Sequence, residues 1–100
     1  MKIERFKISH GSVVEIGCCC VLSFTNNVLT LKVEKEEVVL YANTDTGSKI
    51  KNAFNIIEVK SNEKLEHLNM TNFIGTVEVN GVTRHYFVVT NEEYLMYFNN

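Results

Sequence analysis

Apolar and polar residues alternate through most of this chain, and two turn dipeptides divide the alternation into hairpins. The clearer one is Asn80-Gly81, which separates FIGTVEV (73–79) from VTRHYFVVT (82–90). Asn and Gly tolerate the positive φ that both central residues of a type I′ turn require, so this pair specifies a two-residue loop. Folding the register back from it sets Val79 against Val82, Val77 against Arg84, Gly75 against Tyr86 and Phe73 against Val88. The reverse face carries Glu78, Thr76, Thr83 and His85 near the tip, then Ile74, Phe87 and Val89 at the base. A face polar at one end and apolar at the other requires something to cover its base.

The second dipeptide is Asn26-Asn27, between CCCVLSFT and VLTLKVEK. Read as a hairpin, it places Phe24 opposite Leu29, Leu22 opposite Leu31 and Cys20 opposite Val33 on one wholly apolar face. Ser23, Val21 and Cys19 then fall on a wetter face, because neighbours on a strand point to opposite sides. This register puts Cys18 and Cys20 in the core and leaves Cys19 as the one accessible thiol.

The remaining pattern adds further strands. Residues 2–8 alternate as an edge strand, and VVLYA (38–42) is a short buried strand reached through the charged bend at 34–37. NTDTGSKIKN (43–52) is a polar loop. FNIIEVK (54–60) has the β-branched content of a strand, but Ile50, Phe54 and Ile57 also sit at helical spacing, so a helix starting at Ser48 is the rival. Residues 61–72 read as a loop with one helical turn around Leu65 and Leu68. Thr90 and Glu93 form a capping-box pattern ahead of YLMYF, which makes the last segment a short helix or a final edge strand.

The expected fold is therefore mainly β. It is a small antiparallel barrel or two-sheet sandwich of about six to seven strands, with turns at Asn26-Asn27 and Asn80-Gly81 and one short helix, either C-terminal or within 48–68. Four strands, three strands and a closing helix is also the order of pleckstrin-homology-like barrels. The chain carries neither the basic phosphoinositide loop nor the tryptophan of the terminal helix expected there.

One hundred residues make a single domain. With 45% hydrophobic and 22% charged residues the chain has the composition of a folded globular domain, not a disordered one. The formal charge of −2 provides no general attraction to nucleic acid or anionic membrane. No segment approaches the roughly 20 apolar residues of a membrane helix, and MKIERFKIS lacks a signal-peptide core. A cytoplasmic setting with reduced thiols is the expectation. Eight lysines to two arginines, with abundant asparagine, are the imprint of an AT-rich genome such as that of a low-GC bacterium, phage or virus.

Candidate chemistry is sparse. Structural zinc needs four converging ligands, and three adjacent cysteines with none elsewhere do not supply them. Asp45 is the only aspartate, which argues against an oxygen cage for Ca²⁺ or Mg²⁺. Asp45-Thr46-Gly47 resembles the active-site signature of dimeric aspartic proteases, and Phe73-Ile74-Gly75 resembles the apolar-apolar-glycine element of those enzymes. The resemblance implies a shared-proton carboxylate pair, one Asp45 from each subunit. The sequence departs from the family where Asn43 and Thr44 precede the aspartate in place of two apolar residues, and the interval is too short for the flap hairpin.

Triads can be written from His10, Ser12 and a cysteine, or from His85 and Cys19, but no spacing fixes them. Lys49, Lys51, Lys60 and Lys64, with Tyr86 or Phe73 as stacking groups, offer an edge for single-stranded nucleic acid, against the negative net charge. We expect no catalytic residue, cofactor or metal. The expected function is a non-enzymatic protein-interaction module of the inhibitor, immunity or anti-defence kind. It would use Tyr94, Met96, Tyr97 and Phe98 as contact residues, since aromatic and methionine side chains anchor interfaces. The alternatives are a small barrel that binds a ligand or single-stranded nucleic acid, and a homodimeric aspartic protease using Asp45-Thr46-Gly47; a homodimer formed through an edge strand suits the interaction module and the protease alike.

Overall fold

The structure, a computed structural model, describes residues 1–98. It is mainly β, with seven strands in two antiparallel sheets that do not close into a barrel, and two short helices. The strands are β1 (Ile3–Lys7), β2 (Val13–Ile16), β3 (Val28–Glu34), β4 (Glu37–Asn43), β5 (Asn52–Lys60), β6 (Phe73–Val79) and β7 (Val82–Thr90). Helix α1 spans Val21–Asn26 and α2 spans Asn91–Tyr97. One sheet has the order β1-β4-β3 and the other β2-β5-β7-β6. The sheets thus interleave early and late strands, and do not divide into a first four and a last three.

The main core lies between the sheets. Val14, Ile16, Phe54, Ile56, Tyr86 and Val88 from the larger sheet meet Val38 and Leu40 of β4, Ile8 just beyond β1, and Phe24 of α1. Strand β5 is buried on both faces. Phe54 and Ile56 enter this core, while Ile57 and Val59 join Val89 in a second cluster on the outer side of the sheet. Burial on both faces explains the near-continuous apolar run that imitated helical spacing. Ile50, the first member of that spacing, is 72% exposed, and the segment is a strand. The second cluster is covered by Leu65, Leu68, Tyr94 and Phe98, which is the cover that the half-apolar face of the β6–β7 hairpin required.

That hairpin turns at Asn80-Gly81 with φ of 51° and 80°, and its first three pairs fall in the expected register. The register then shifts between Phe73 and Gly75, so Phe73 pairs with Phe87 and not with Val88. The extra residue sends Ile74 into the main core and leaves Phe73 edge-on to Phe87 outside it. At Gly75 a Cβ would lie 2.8 Å from Leu31 Cδ2, so this glycine lets β3 approach β6 across the open seam between the sheets.

The Asn26-Asn27 hairpin is not formed. Residues 21–26 are helix α1, with Cys20 as its N-cap and Asn27 as its C-cap. Ser23 Oγ accepts from the Cys20 amide at 3.2 Å, and Asn27 Nδ2 donates to the Ser23 carbonyl at 2.6 Å. Asparagine suits a helix terminus as well as a turn, and here the helix terminus prevails. The real partner of β3 is β4, which pairs Leu31 with Leu40 and Val33 with Val38. Their turn is Lys35-Glu36 with φ of 50° and 66°, a type I′ geometry made without Asn or Gly. Leu22, expected in the core, is 54% exposed, while Phe24 is fully buried against Phe54 at a ring separation of 5.1 Å. No helix among the described residues is long and apolar enough to cross a membrane.

Candidate functional site

Helix α2 begins where the sequence places its cap. Thr90 Oγ1 accepts from the Glu93 amide at 3.1 Å, and Glu93 Oε1 accepts from the Thr90 amide at 3.2 Å. A seven-residue helix is too short to stand alone, so it must dock. Tyr94 and Phe98, one turn apart, are the docking pair. Their rings stack 5.8 Å apart, and His10 lies against both, at 6.1 and 6.4 Å. His10 is itself fixed, because its Nδ1 accepts from the Glu58 amide at 3.1 Å.

The four expected contact residues therefore divide. Tyr94 and Phe98 are anchors, whereas Met96 is 67% and Tyr97 40% exposed. Leu95, which the sequence reading did not include, joins them at 51% exposure. Tyr97 also stacks on His67 with ring centroids 3.7 Å apart, which ties the outer face of α2 to the 61–72 segment. Beside that segment lies an apolar cleft of about 240 Å³ lined by Val59, Leu65, Leu68, Met70 and Phe87. Met70 is 76% exposed at its edge.

The other candidate groups are dispersed. His85 is held between Ser61 Oγ at 3.0 Å and Thr76 Oγ1 at 2.9 Å, so both ring nitrogens are engaged away from Cys19. Tyr86 is buried and cannot stack on a base. No group of three or more His, Cys, Asp or Glu side chains suited to a metal ion occurs among the described residues. Glu34 is the most strongly perturbed acid. Hydrogen bonds from Tyr41 and Arg5, with Lys32 beside them, lower its carboxyl from 4.5 to about 2 on the outer face of the smaller sheet.

Two segments that stood out in the sequence do meet. Gly17, Cys18, Cys19 and Ser23 line a cleft of about 430 Å³ together with Asp45, Thr46 and Ser48. Gly17 makes the meeting possible, since a Cβ there would lie 2.8 Å from the Ser48 carbonyl oxygen. Cys18 is buried, and burial pushes its thiol up to about 11. Cys19 and Cys20 are both exposed, so the expectation of a single accessible thiol is corrected: as N-cap of α1, Cys20 faces solvent and not the core. Asp45 sits 3.6 Å from the Met1 nitrogen and its side chain is 63% exposed. No protein-family model matches this chain, and no significant match is found among curated proteins or solved structures.

Proposed function

We propose that the protein is a non-enzymatic interaction module that binds a partner protein through the outer face of α2 and the adjoining apolar cleft. The supporting observation is the division of labour within α2. Tyr94 and Phe98 dock the helix and Tyr97 stacks on His67, which leaves Leu95 and Met96 as large apolar groups turned to solvent beside the half-exposed Tyr97 ring. Grouped exposed apolar side chains beside a cleft are the anatomy of a protein contact, and methionine and tyrosine are common anchors there. Asp45, exposed in a polar loop, behaves as a surface turn residue, which favours this reading over a carboxylate protease. The inhibitor, immunity or anti-defence class fits a small domain whose working part is a surface.

The test is a comparison between the protein and its Leu95→Lys/Met96→Lys variant. Both positions are solvent-facing, so the variant should keep its circular dichroism spectrum and melting temperature. A partner captured from lysate by the parent protein should be lost by the variant, and titration of the purified pair should show the same loss. A partner retained equally by both, or none retained by either, rejects the proposal. Self-association by the parent that the variant abolishes would identify the occupant as a second copy.

A further inference from the structure

We infer that His10 is a pH-sensitive latch for helix α2, which holds the helix docked while the imidazole is neutral and loosens it when the ring takes up a proton. The consequence for partner binding rests on the contact surface proposed above, whereas the latch is a property of the free chain.

The argument starts from the edge of β5. There the Ile56 amide donates to the Ser12 carbonyl at 2.9 Å, and the Gly11 amide donates to the Ile56 carbonyl at 2.7 Å. The next amide on that edge is that of Glu58, and it donates to His10 Nδ1 at 3.1 Å. The imidazole thus takes the place of a strand carbonyl. The same ring supports α2, with Tyr94 at 6.1 Å and Phe98 at 6.4 Å between ring centres. Gly11, at φ 84°, passes under the Tyr94 hydroxyl, where a Cβ would lie 2.8 Å from the oxygen.

An amide N–H only donates, so Nδ1 is the bare nitrogen and the proton of the neutral ring sits on Nε2. The next proton therefore goes to Nδ1. It would face the Glu58 N–H as a second donor, and the hydrogen bond is lost. Protonation and the latch exclude each other. The His10 side chain is exposed, so the charged ring can turn to water. That leaves the Glu58 amide without its acceptor and removes one support of the Tyr94–Phe98 pair. His85 provides the contrast, because its partners Ser61 and Thr76 are hydroxyls, which donate or accept and suit either charge state.

The charged groups of the neighbouring elements do not offset this. On β5 the Glu58 carboxylate is committed to Arg84 Nε at 3.4 Å and the Tyr86 hydroxyl at 3.3 Å. On α2 Glu93 is engaged in the cap, Glu92 lines a separate cleft with Asn52 and Ala53, and Tyr97 stacks on His67. From the 61–72 segment Leu65 and Leu68 reach this cluster, while Glu63 accepts from the Lys60 amide. Among the described residues no carboxylate forms an ion pair with His10. The Tyr94 and Phe98 ring centres lie beyond the roughly 6 Å within which a cation gains from an aromatic face. The neutral form is the latched one, so docking is complete above the interval of about pH 5–8 in which histidines change charge, and is lost as the pH falls through it.

Hydrogen exchange of the full chain, followed residue by residue by NMR from pH 8 to 5, tests this. Loss of one hydrogen bond changes an opening equilibrium by about tenfold. After correction for the intrinsic exchange rate, protection of the Glu58 amide should fall by about that factor across the interval. The Phe98 amide, bonded to the Tyr94 carbonyl at 2.9 Å, should follow it. Asparagine offers an amide oxygen near the position of Nδ1 and does not titrate. His10→Asn should therefore abolish the pH dependence of both amides, whatever its own degree of docking. In the parent protein the ring-nitrogen shifts of His10 should show the Nε2–H form at pH 8. An Nδ1–H form, protection that does not change with pH, a Phe98 amide that fails to follow Glu58, or the same pH dependence in His10→Asn would overturn the inference. Exchange is read without a partner, so the latch and the proposed contact stand or fall separately.

Discussion

Leu22 and Phe24 distinguish the two conformations open to residues 21–26. On a strand they share a face. In a helix each residue advances about 100°, so they point in nearly opposite directions. The structure buries Phe24 completely and leaves Leu22 54% exposed. Truncation of Phe24 to alanine removes a ring packed 5.1 Å from Phe54 and opens a cavity where α1 meets the core, at a cost of about 3–5 kcal/mol. Full burial of leucine is worth about 1.5–3 kcal/mol, and Leu22 realises less than half of it, so Leu22→Ala should cost about 1 kcal/mol or less. Alanine also has the higher helix propensity, which reduces that cost further. Domains of this size are stable by roughly 5–15 kcal/mol, so both variants should be measurable, with Phe24→Ala close to the limit. Urea denaturation is the assay, with midpoints compared at constant slope. Equal destabilisation by the two substitutions would restore the hairpin register and refute α1.

Three further outcomes follow from local geometry. Lys35 and Glu36 occupy the left-handed region without the residues that favour it, so Lys35→Asn/Glu36→Gly should stabilise the protein by about 1 kcal/mol, and an unchanged or lower melting temperature would reject the turn assignment. Gly75→Ala should cost roughly 1–3 kcal/mol through its clash with Leu31, and part of that cost should vanish in a Leu31→Ala background; strictly additive costs would remove the proposed contact. Glu34 has a depressed folded-state ionisation, so its stabilising contribution is complete above about pH 4.5 and is lost as the pH falls toward 2. Stability measured across that interval should fall less steeply in Glu34→Gln, and identical acid limbs would contradict the network around it.

The elements legible in the sequence are those whose local chemistry agrees with the tertiary fold. Asn80-Gly81 has one good use, a type I′ turn, and serves it. Thr90 and Glu93 make a reciprocal cap that little else would explain. Asn27 has two good uses, a hairpin turn and a helix C-cap, and the fold takes the second. The cap that marks the start of that helix is disguised, because Cys20-x-x-Ser23 fills the roles usually held by a hydroxyl and a carboxylate. The bulge at Phe73–Gly75 was visible only as a glycine within a strand, a sign that permits a bulge without locating it. Ahead of YLMYF the capping pattern left a short helix and a final edge strand both open, and the segment is the helix α2. Which residues dock and which face outward depends on the positions of His10 and the second core cluster, and these come from distant strands.

The location of the cysteines follows from the path of the chain. Strand β2 belongs to the larger sheet through β5, and β3 to the smaller one through β4, so the chain must cross between layers after Ile16. A two-residue hairpin joins strands within one sheet and cannot make that crossing. The GCCC segment and α1 make it instead. Gly17 passes against the Ser48 carbonyl, and the Cys18 carbonyl accepts from Asn52 Nδ2 at 2.5 Å. Phe24 then plugs the end of the core. A crossing segment has no sheet partner on either side, so its burial is decided residue by residue and does not alternate. Cys18 falls inward, and Cys19 and Cys20 fall outward in succession. Two consecutive exposed thiols would be an anomaly on a strand, and at a crossover they are an ordinary result of the topology.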